Sequence, residues 1–330
     1  MAEIVSTIAS VTDFTNWVAS LPSDLVTDGN SYTAEITNAA ELVFPASGSP
    51  IANFTQTCDA THFITIRAKA GNSFRDAGDG PLKYDPARGA ALNISPSYNY
   101  GIECSQGYST PSYLVLEGLQ VYSAGLYCQG IIYLNGATCL VDGCLAQGYV
   151  RSGYSYVAAI GQNTVVKNSA VVTDNSGGAS CSGVAFSYYG GYQSLNNTLI
   201  CPTGATQCRA VSTSSATLFK NTAAFGFASL NATNVAAGSA NNATDQTAGF
   251  VAGDLANVVF ANQFQGVTQV SPDARLKSGS VLIDAGVTDS NVTVDIFNTT
   301  RPQGSYPDIG CYEVAAAAPA AGSDLIFNMF

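Results

Sequence analysis

The sequence predicts an all-β solenoid: a parallel β-helix of about 10 to 12 coils stacked at roughly 4.8 Å per strand, closed by a short N-terminal capping helix and followed by an extended C-terminal arm. Three observations carry this. Five tripeptides, Leu116-Glu117-Gly118, Val141-Asp142-Gly143, Val166-Lys167-Asn168, Leu195-Asn196-Asn197 and Phe219-Lys220-Asn221, recur with their third positions 25, 25, 29 and 24 residues apart. A second set of short apolar runs, Gly130 to Leu134, Val157 to Ile160, Gly183 to Ser187 and Arg209 to Ser212, falls between them at a similar interval. Charge is scarce, at 11% of residues, and the interval from Gly89 to Thr244 holds only Glu103, Glu117, Asp142, Arg151, Lys167, Asp174, Arg209 and Lys220. Two or three strands in a coil of this length leave no room for a helix, which is the arithmetic of stacked β coils.

Each copy of the tripeptide reads as a strand turning a corner, because Gly and Asn tolerate left-handed backbone there. Ahead of the repeat, Ser10 to Ser20 has Phe14, Trp17 and Val18 at helical spacing, with Thr12 or Asp13 as N-cap and Leu21-Pro22 as the stop. A helix carrying the only Trp suits a lid over an open solenoid end. The division that follows is a cap over 1–30, coils over 31–314 and an arm over 315–330. Within the coils, Ser31 to Phe44 and His62 to Arg67 alternate as strands do, and His62 shares parity with Ile64 and Ile66 as a semi-buried polar residue. Gly71 to Arg88 reads as a loop bulging from the stack. Its Asp76, Asp79 and Asp85 are mixed with the three cations Arg75, Lys83 and Arg88, so an ion-pair network is expected there rather than a calcium site. After the low-complexity Ala315 to Gly322, the chain ends in Leu325, Ile326, Phe327, Asn328, Met329 and Phe330, an apolar segment expected to dock on its own rod, on a copy of the chain or on a partner.

Composition excludes several function classes. A net charge of −11 without a basic cluster argues against nucleic acid and anionic membrane as partners. Met1-Ala2-Glu3-Ile4 has no basic n-region or long apolar stretch, so synthesis in the cytoplasm is expected. The nine cysteines form no CxxC pair and serve mainly as small apolar core residues, though Cys181 and Cys208 hold corresponding places in successive coils, within reach of a bridge. A single histidine rules out a His-based metal cluster and leaves any Ser-His-Asp triad dependent on His62. No nucleotide-binding, P-loop, zincin or nucleophile-elbow pattern occurs, so neither cofactor nor metal is expected.

Two constellations remain. Glu117, Asp142, Lys167, Asn196 and Lys220 precede the corner residue in their copies and are expected to form an outward ladder with rungs about 5 Å apart. Glu117 and Asp142 would then have the carboxylate spacing of a retaining glycosidase, or Lys167 would act as a lyase base with Arg151 or Arg209 neutralising a uronate. The structural alternative is that Lys167 relieves the repulsion between stacked carboxylates. Thirteen of the seventeen tyrosines lie between Tyr98 and Tyr192, and Tyr154, Tyr156, Tyr188, Tyr189 and Tyr192 offer a face for stacking on sugars or anchoring an interface.

The stretch Ala274 to Gly286, followed by Arg301-Pro302 and Pro307 to Glu313, resembles the closing signature of right-handed parallel β-helix proteins of the pectate-lyase-like superfamily. The N-terminal Thr12 to Trp17, Leu21-Pro22 and Thr27 to Tyr32 resemble β-helix proteins encoded among tailed-bacteriophage structural genes. These resemblances imply a non-enzymatic virion component, a capsid decoration or tail-associated rod docked through its C-terminal arm. The expected partners are other virion proteins, a second copy of the chain and a host-surface glycan. The alternative they leave open is a polysaccharide lyase, a glycosidase or a glycan-binding tailspike-like protein.

Overall fold

The computed structural model describes residues 1–37, 41–44, 52–94, 100–104, 113–123, 130–134, 138–149, 156–160, 164–174, 184–188, 192–202, 208–213, 216–268 and 270–315. They form a parallel β-helix of three sheets. Sheet A stacks Glu3–Ile8 (β1), Ser31–Ile36 (β2), Ile64–Ala68, Tyr113–Glu117, Thr138–Asp142, Val165–Lys167, Tyr192–Leu195 and Thr217–Lys220. Sheet B stacks Ala52–Asn53, Tyr100–Cys104, Gly130–Leu134, Tyr156–Ile160, Val184–Tyr188 and Arg209–Thr213. Sheet C stacks Leu42–Phe44, Ala91–Ile94, Gln120–Ser123, Leu145–Tyr149, Ala170–Asp174, Thr198–Ile200, Ala223–Phe225 and Ala243–Thr244. Every pairing within these sheets is parallel, each strand bonding to its counterpart one coil on.

Among the described residues, the eight strands of sheets A and C span roughly 35 Å at about 4.8 Å per rung and sheet B has six, fewer than the 10 to 12 coils expected. The shortfall lies beyond Asn231. There, among the described residues, the ladder continues as the two-residue strand Ala243–Thr244 and as single bridges, Thr217 to Val235, Lys220 to Ala240 and Ala243 to Leu255, and the following residues fold back over the rod. At the other end, β1 is already a rung of sheet A, so the cap and the first coil overlap.

The lumen is filled by inward residues such as Ile36, Ile66, Leu116, Val141, Val166 and Phe219, all buried. A second apolar cluster lies outside sheet C. Leu145, Ala170, Val172, Ile200, Ala223 and Phe225 on its outer face meet Phe74, Leu82, Phe264, Leu276, Leu282 and Ile309. This is why Ala170 to Val172, Thr198 to Ile200 and Ala223 to Phe225 are buried at every position: a sheet covered on both faces needs continuous rather than alternating apolar strands.

The predicted lid is α1, Val11–Ser20, which buries Phe14 and Trp17 against Phe44 and Phe54. Its N-cap is Ser10, not Thr12 or Asp13. Ser10 Oγ accepts from the Asp13 N–H at 3.1 Å, and Asp13 Oδ2 reaches back past the N-cap to accept from the Ala9 N–H at 3.2 Å.

Candidate functional site

The outer face of sheet A carries the ladder. Residue pairing aligns Glu35, Arg67, Glu117, Asp142, Lys167, Leu195 and Lys220 in one outward row. Asn196 is not in it. The fourth copy of the repeat is offset by one residue: Asn196 occupies the left-handed corner (φ 52°), matching Gly118, Gly143, Asn168 and Asn221, while Leu195 takes the ladder position. The tripeptide Leu-Asn-Asn offers two corner residues, and the longer coil before it used the first. Asn197 instead turns inward, donating from Nδ2 to the Val166 carbonyl at 2.7 Å and accepting from the Ser169 N–H at 2.9 Å.

Charges in the row are largely matched internally. Lys167 Nζ lies 3.2 Å from Asp142 Oδ2 and also donates to the Asn291 carbonyl at 3.2 Å. Lys220 pairs with Asp289 at 3.1 Å, and Arg67 pairs with Glu35 at 2.9 Å and Glu3 at 3.2 Å. Desolvation acts against the Asp289 carboxylate, but the Asn291 N–H and Lys220 hold it below its ordinary value. Glu117 is exposed, next in register to both Arg67 and Asp142, and forms no ion pair among the described residues.

Beside the charged row runs an apolar one, Val115, Leu140 and Val165, half-buried and in register. It floors two contiguous shallow depressions of about 470 and 570 Å³ that share Phe63, Val115 and Leu140. Tyr113, Lys167 and Asn291 border one, and Glu3, Arg67 and Glu117 the other. The face therefore offers an apolar floor along the rod axis with a polar, ion-paired margin, suited to lining an extended partner.

The corner between sheets A and C is covered, which the repeat did not foretell. Residues 284–313 run back along it: the Ala285 carbonyl accepts from Asn241 Nδ2 at 3.0 Å, the Val287 carbonyl from Asn221 Nδ2 at 2.7 Å, and the Val287 N–H donates to Asn221 Oδ1 at 2.8 Å. Arg75 seals the far end of the corner, with Nη2 donating to Asn298 Oδ1 at 2.5 Å. At Gly143 (φ 59°) a Cβ would fall 2.5 Å from Arg75 Nη1, so any larger residue at this corner would have to displace the Arg75 guanidinium. The segment is knit by Arg301, whose Nη1 donates to Glu313 Oε2 and the Asp308 carbonyl, both at 2.9 Å, and whose Nη2 donates to the Gly310 carbonyl at 2.8 Å. Glu313, Asp308 and Asp295 ring this guanidinium, and burial raises the pKa of each. The stretch that resembles a closing signature is thus a folded strap in which both Arg301 Nη groups are bonded while Arg301 Nε is buried without a partner among the described residues.

The remaining candidates are dispersed. Among the described residues the ion-pair network expected in the 71–88 loop does not form: Asp76 accepts from the Ser73 N–H, Asp85 caps a short turn, Arg88 donates to the Gly78 and Pro81 carbonyls, and only Asp79 forms an ion pair, with Arg275 at 3.4 Å. Arg75 and Arg88 are taken up by the C-terminal strap and by loop carbonyls rather than by the loop's own carboxylates. Among the described residues no group of three or more His, Cys, Asp or Glu is placed to hold a metal. His62 Nδ1 lies 2.9 Å from Asp59 Oδ1 and 3.1 Å from Thr61 Oγ1, and among the described residues no serine hydrogen-bonds to its ring. The Thr61 N–H, followed by the His62 N–H, holds Asp59 well below the usual carboxylate range. Cys58, Cys139, Cys144, Cys201, Cys208 and Cys311 are all buried, and burial pushes the thiols of Cys144 and Cys311 up to about 12. Cys181, Tyr154, Tyr189, Arg151 and Leu325 to Phe330 lie outside the described residues, as do the side chains of Tyr156, Tyr188 and Tyr192, whose backbones belong to sheets B and A.

Among the described residues no helix is long and apolar enough to cross a membrane. No protein-family model matches the chain, and no curated protein matches it. Among solved structures, the crystal structure of pectate lyase Pel9A is similar over 95% of this chain and 96% of its own, at 11% sequence identity and a TM-score of 0.35. The strand pairings themselves make the chain an all-β parallel β-helix.

Proposed function

We propose that this chain is a non-catalytic structural β-helix of a tailed-phage particle, a capsid decoration or tail-associated rod with the outer face of sheet A as a contact face. The observation that carries the reading is the internal matching of the outward charges. Lys167 is held by Asp142 and the Asn291 carbonyl, so it is not poised as a base, and Lys220 and Arg67 are similarly engaged. The N-terminal resemblance to phage structural β-helices supplies the particle. Particle assembly with and without the chain tests it: loss of incorporation on deleting Leu325 to Phe330 is the expected result, and unchanged incorporation defeats docking through the arm.

A second reading rests on Glu117, exposed, unpaired among the described residues and one rung from Asp142 at the edge of the depressions. It is a glycosidase or lyase, or a glycan-binding rod without turnover. Incubation with acidic and neutral polysaccharides separates the three: new reducing or unsaturated ends that vanish in Glu117→Gln establish the enzyme, and saturable binding alone establishes the binder.

A further inference from the structure

Among the described residues, the N-terminal end of sheet A is a bare edge. β1 is the outermost strand and pairs on one side only, in unbroken parallel register with β2 from Glu3–Ser31 to Ile8–Ile36. The Ser31 N–H bonds to the Ala2 carbonyl and the Thr37 N–H to the Ile8 carbonyl, each at 3.0 Å, so the even-numbered residues of β1 serve the ladder. Alternation along a strand then leaves the N–H and C=O of Glu3, Val5 and Thr7 facing away from the sheet. Proteins commonly blunt such an edge with lysine, proline or a bulge. β1 has none of these, and its single charge, Glu3, is held by Thr33 Oγ1 at 2.7 Å and Arg67 at 3.2 Å. The same end leaves apolar surface exposed: α1 covers the Ile8 end of the strand, whereas Ile4 is 39% and Val5 45% exposed.

We infer that β1 pairs antiparallel with β1 of a second copy of this chain, about a two-fold axis through Val5. The outward-facing residues decide the occupant, because their order is self-complementary. With Val5 opposite Val5, Glu3 falls opposite Thr7 and Thr7 opposite Glu3, so no like charges meet and on the order of six backbone hydrogen bonds form. The reversal also exchanges the ends of the strand, carrying the second copy's α1 toward the bare Ile4 end. Sheet A then runs continuously through both rods, and the interface is isologous, as a closed dimer requires.

Light scattering on the full chain during size exclusion, across a concentration series, tests this. The expected wild-type mass is twice 34.0 kDa at high concentration. Val5→Pro removes an N–H that faces solvent in one copy and leaves the β1–β2 ladder untouched. Val5→Lys places two ammonium groups across the axis and tests the same contact if the proline variant unfolds. Both are expected to run at 34.0 kDa with unchanged far-ultraviolet circular dichroism. A wild-type chain at 34.0 kDa throughout, or a dimer that Val5→Lys leaves intact, overturns the inference.

Discussion

Replacing Arg301 with Met should unlatch the C-terminal strap. Arg301 and Glu313 are each 1% exposed at the side chain, and the guanidinium also serves the carbonyls of Asp308 and Gly310. Removing it leaves three carboxyl groups, Glu313, Asp308 and Asp295, buried without a cation. Breaking a buried pair by deleting one partner costs about 3–5 kcal/mol, far more than an exposed pair. At this chain length that is a fall in Tm of roughly 5–15 °C. The loss should depend on pH with a definite sign. Burial has already raised these carboxyls in the folded protein, and removing Arg301 raises them further. Between the ordinary carboxylate value of about 4 and the raised values, the folded state binds more protons than the unfolded one, so stability falls as pH rises through that window. The variant's deficit should therefore be largest at neutral pH and shrink on acidification. The double variant Arg301→Met/Glu313→Gln should recover part of the loss, because the charge most directly exposed by the first change is gone. Denaturant melts at several pH values measure all three. A deficit at pH 7 below about 1 kcal/mol, or one that grows as pH falls, would refute the reasoning.

Three further outcomes are expected. Asn196→Ala should cost about 1–3 kcal/mol, from its positive φ and the hydrogen bond Asn196 Oδ1 accepts from Asn221 Nδ2, with Asn196→Gly costing less; a urea midpoint series that ranks Gly below Ala would contradict the corner assignment. Gly226→Ala should be severely destabilising, since its Cβ would lie 1.9 Å from the Cys201 carbonyl oxygen at a φ of 78°; soluble yield and Tm report it. Lys167→Met should cost no more than about 1 kcal/mol, because its pair with Asp142 remains partly solvated, and a larger loss in the same melts would mark that rung as structurally critical.

Much of the rod was legible in the sequence because its coils repeat. The tripeptides located sheet A, and the apolar runs between them coincide with the strands of sheet B from Gly130–Leu134 to Arg209–Thr213. Phe14 and Trp17 announced the lid. The site was legible only as a row: Glu117, Asp142 and Lys167 do align, but Asn196 had to be exchanged for Leu195, since two adjacent asparagines satisfy the same corner preference. The apolar trough beside that row was missed, although Val115, Leu140 and Val165 share parity with Glu117, Asp142 and Lys167 and stood in the sequence as its signal. Their outward direction comes from register, which a strand read in isolation does not reveal.

What the sequence by itself determined is the fold class, four of the five corner residues and the cap, because each rests on local backbone preference or short-range periodicity. What only the tertiary structure decided is how many coils form, which face is covered and which charges are consumed. The continuous apolar strands of sheet C were a trace of a second buried face, but not of what buries it. That cover comes from Phe74 and Leu82 together with residues beyond 260, and the latter bring Asp289 to Lys220, Asn298 to Arg75 and Asn291 to Lys167 across separations of 69, 223 and 124 residues. Contacts at such separations obey no local pattern. They follow from which surfaces remain apolar and which polar groups remain unsatisfied once the rod has been built.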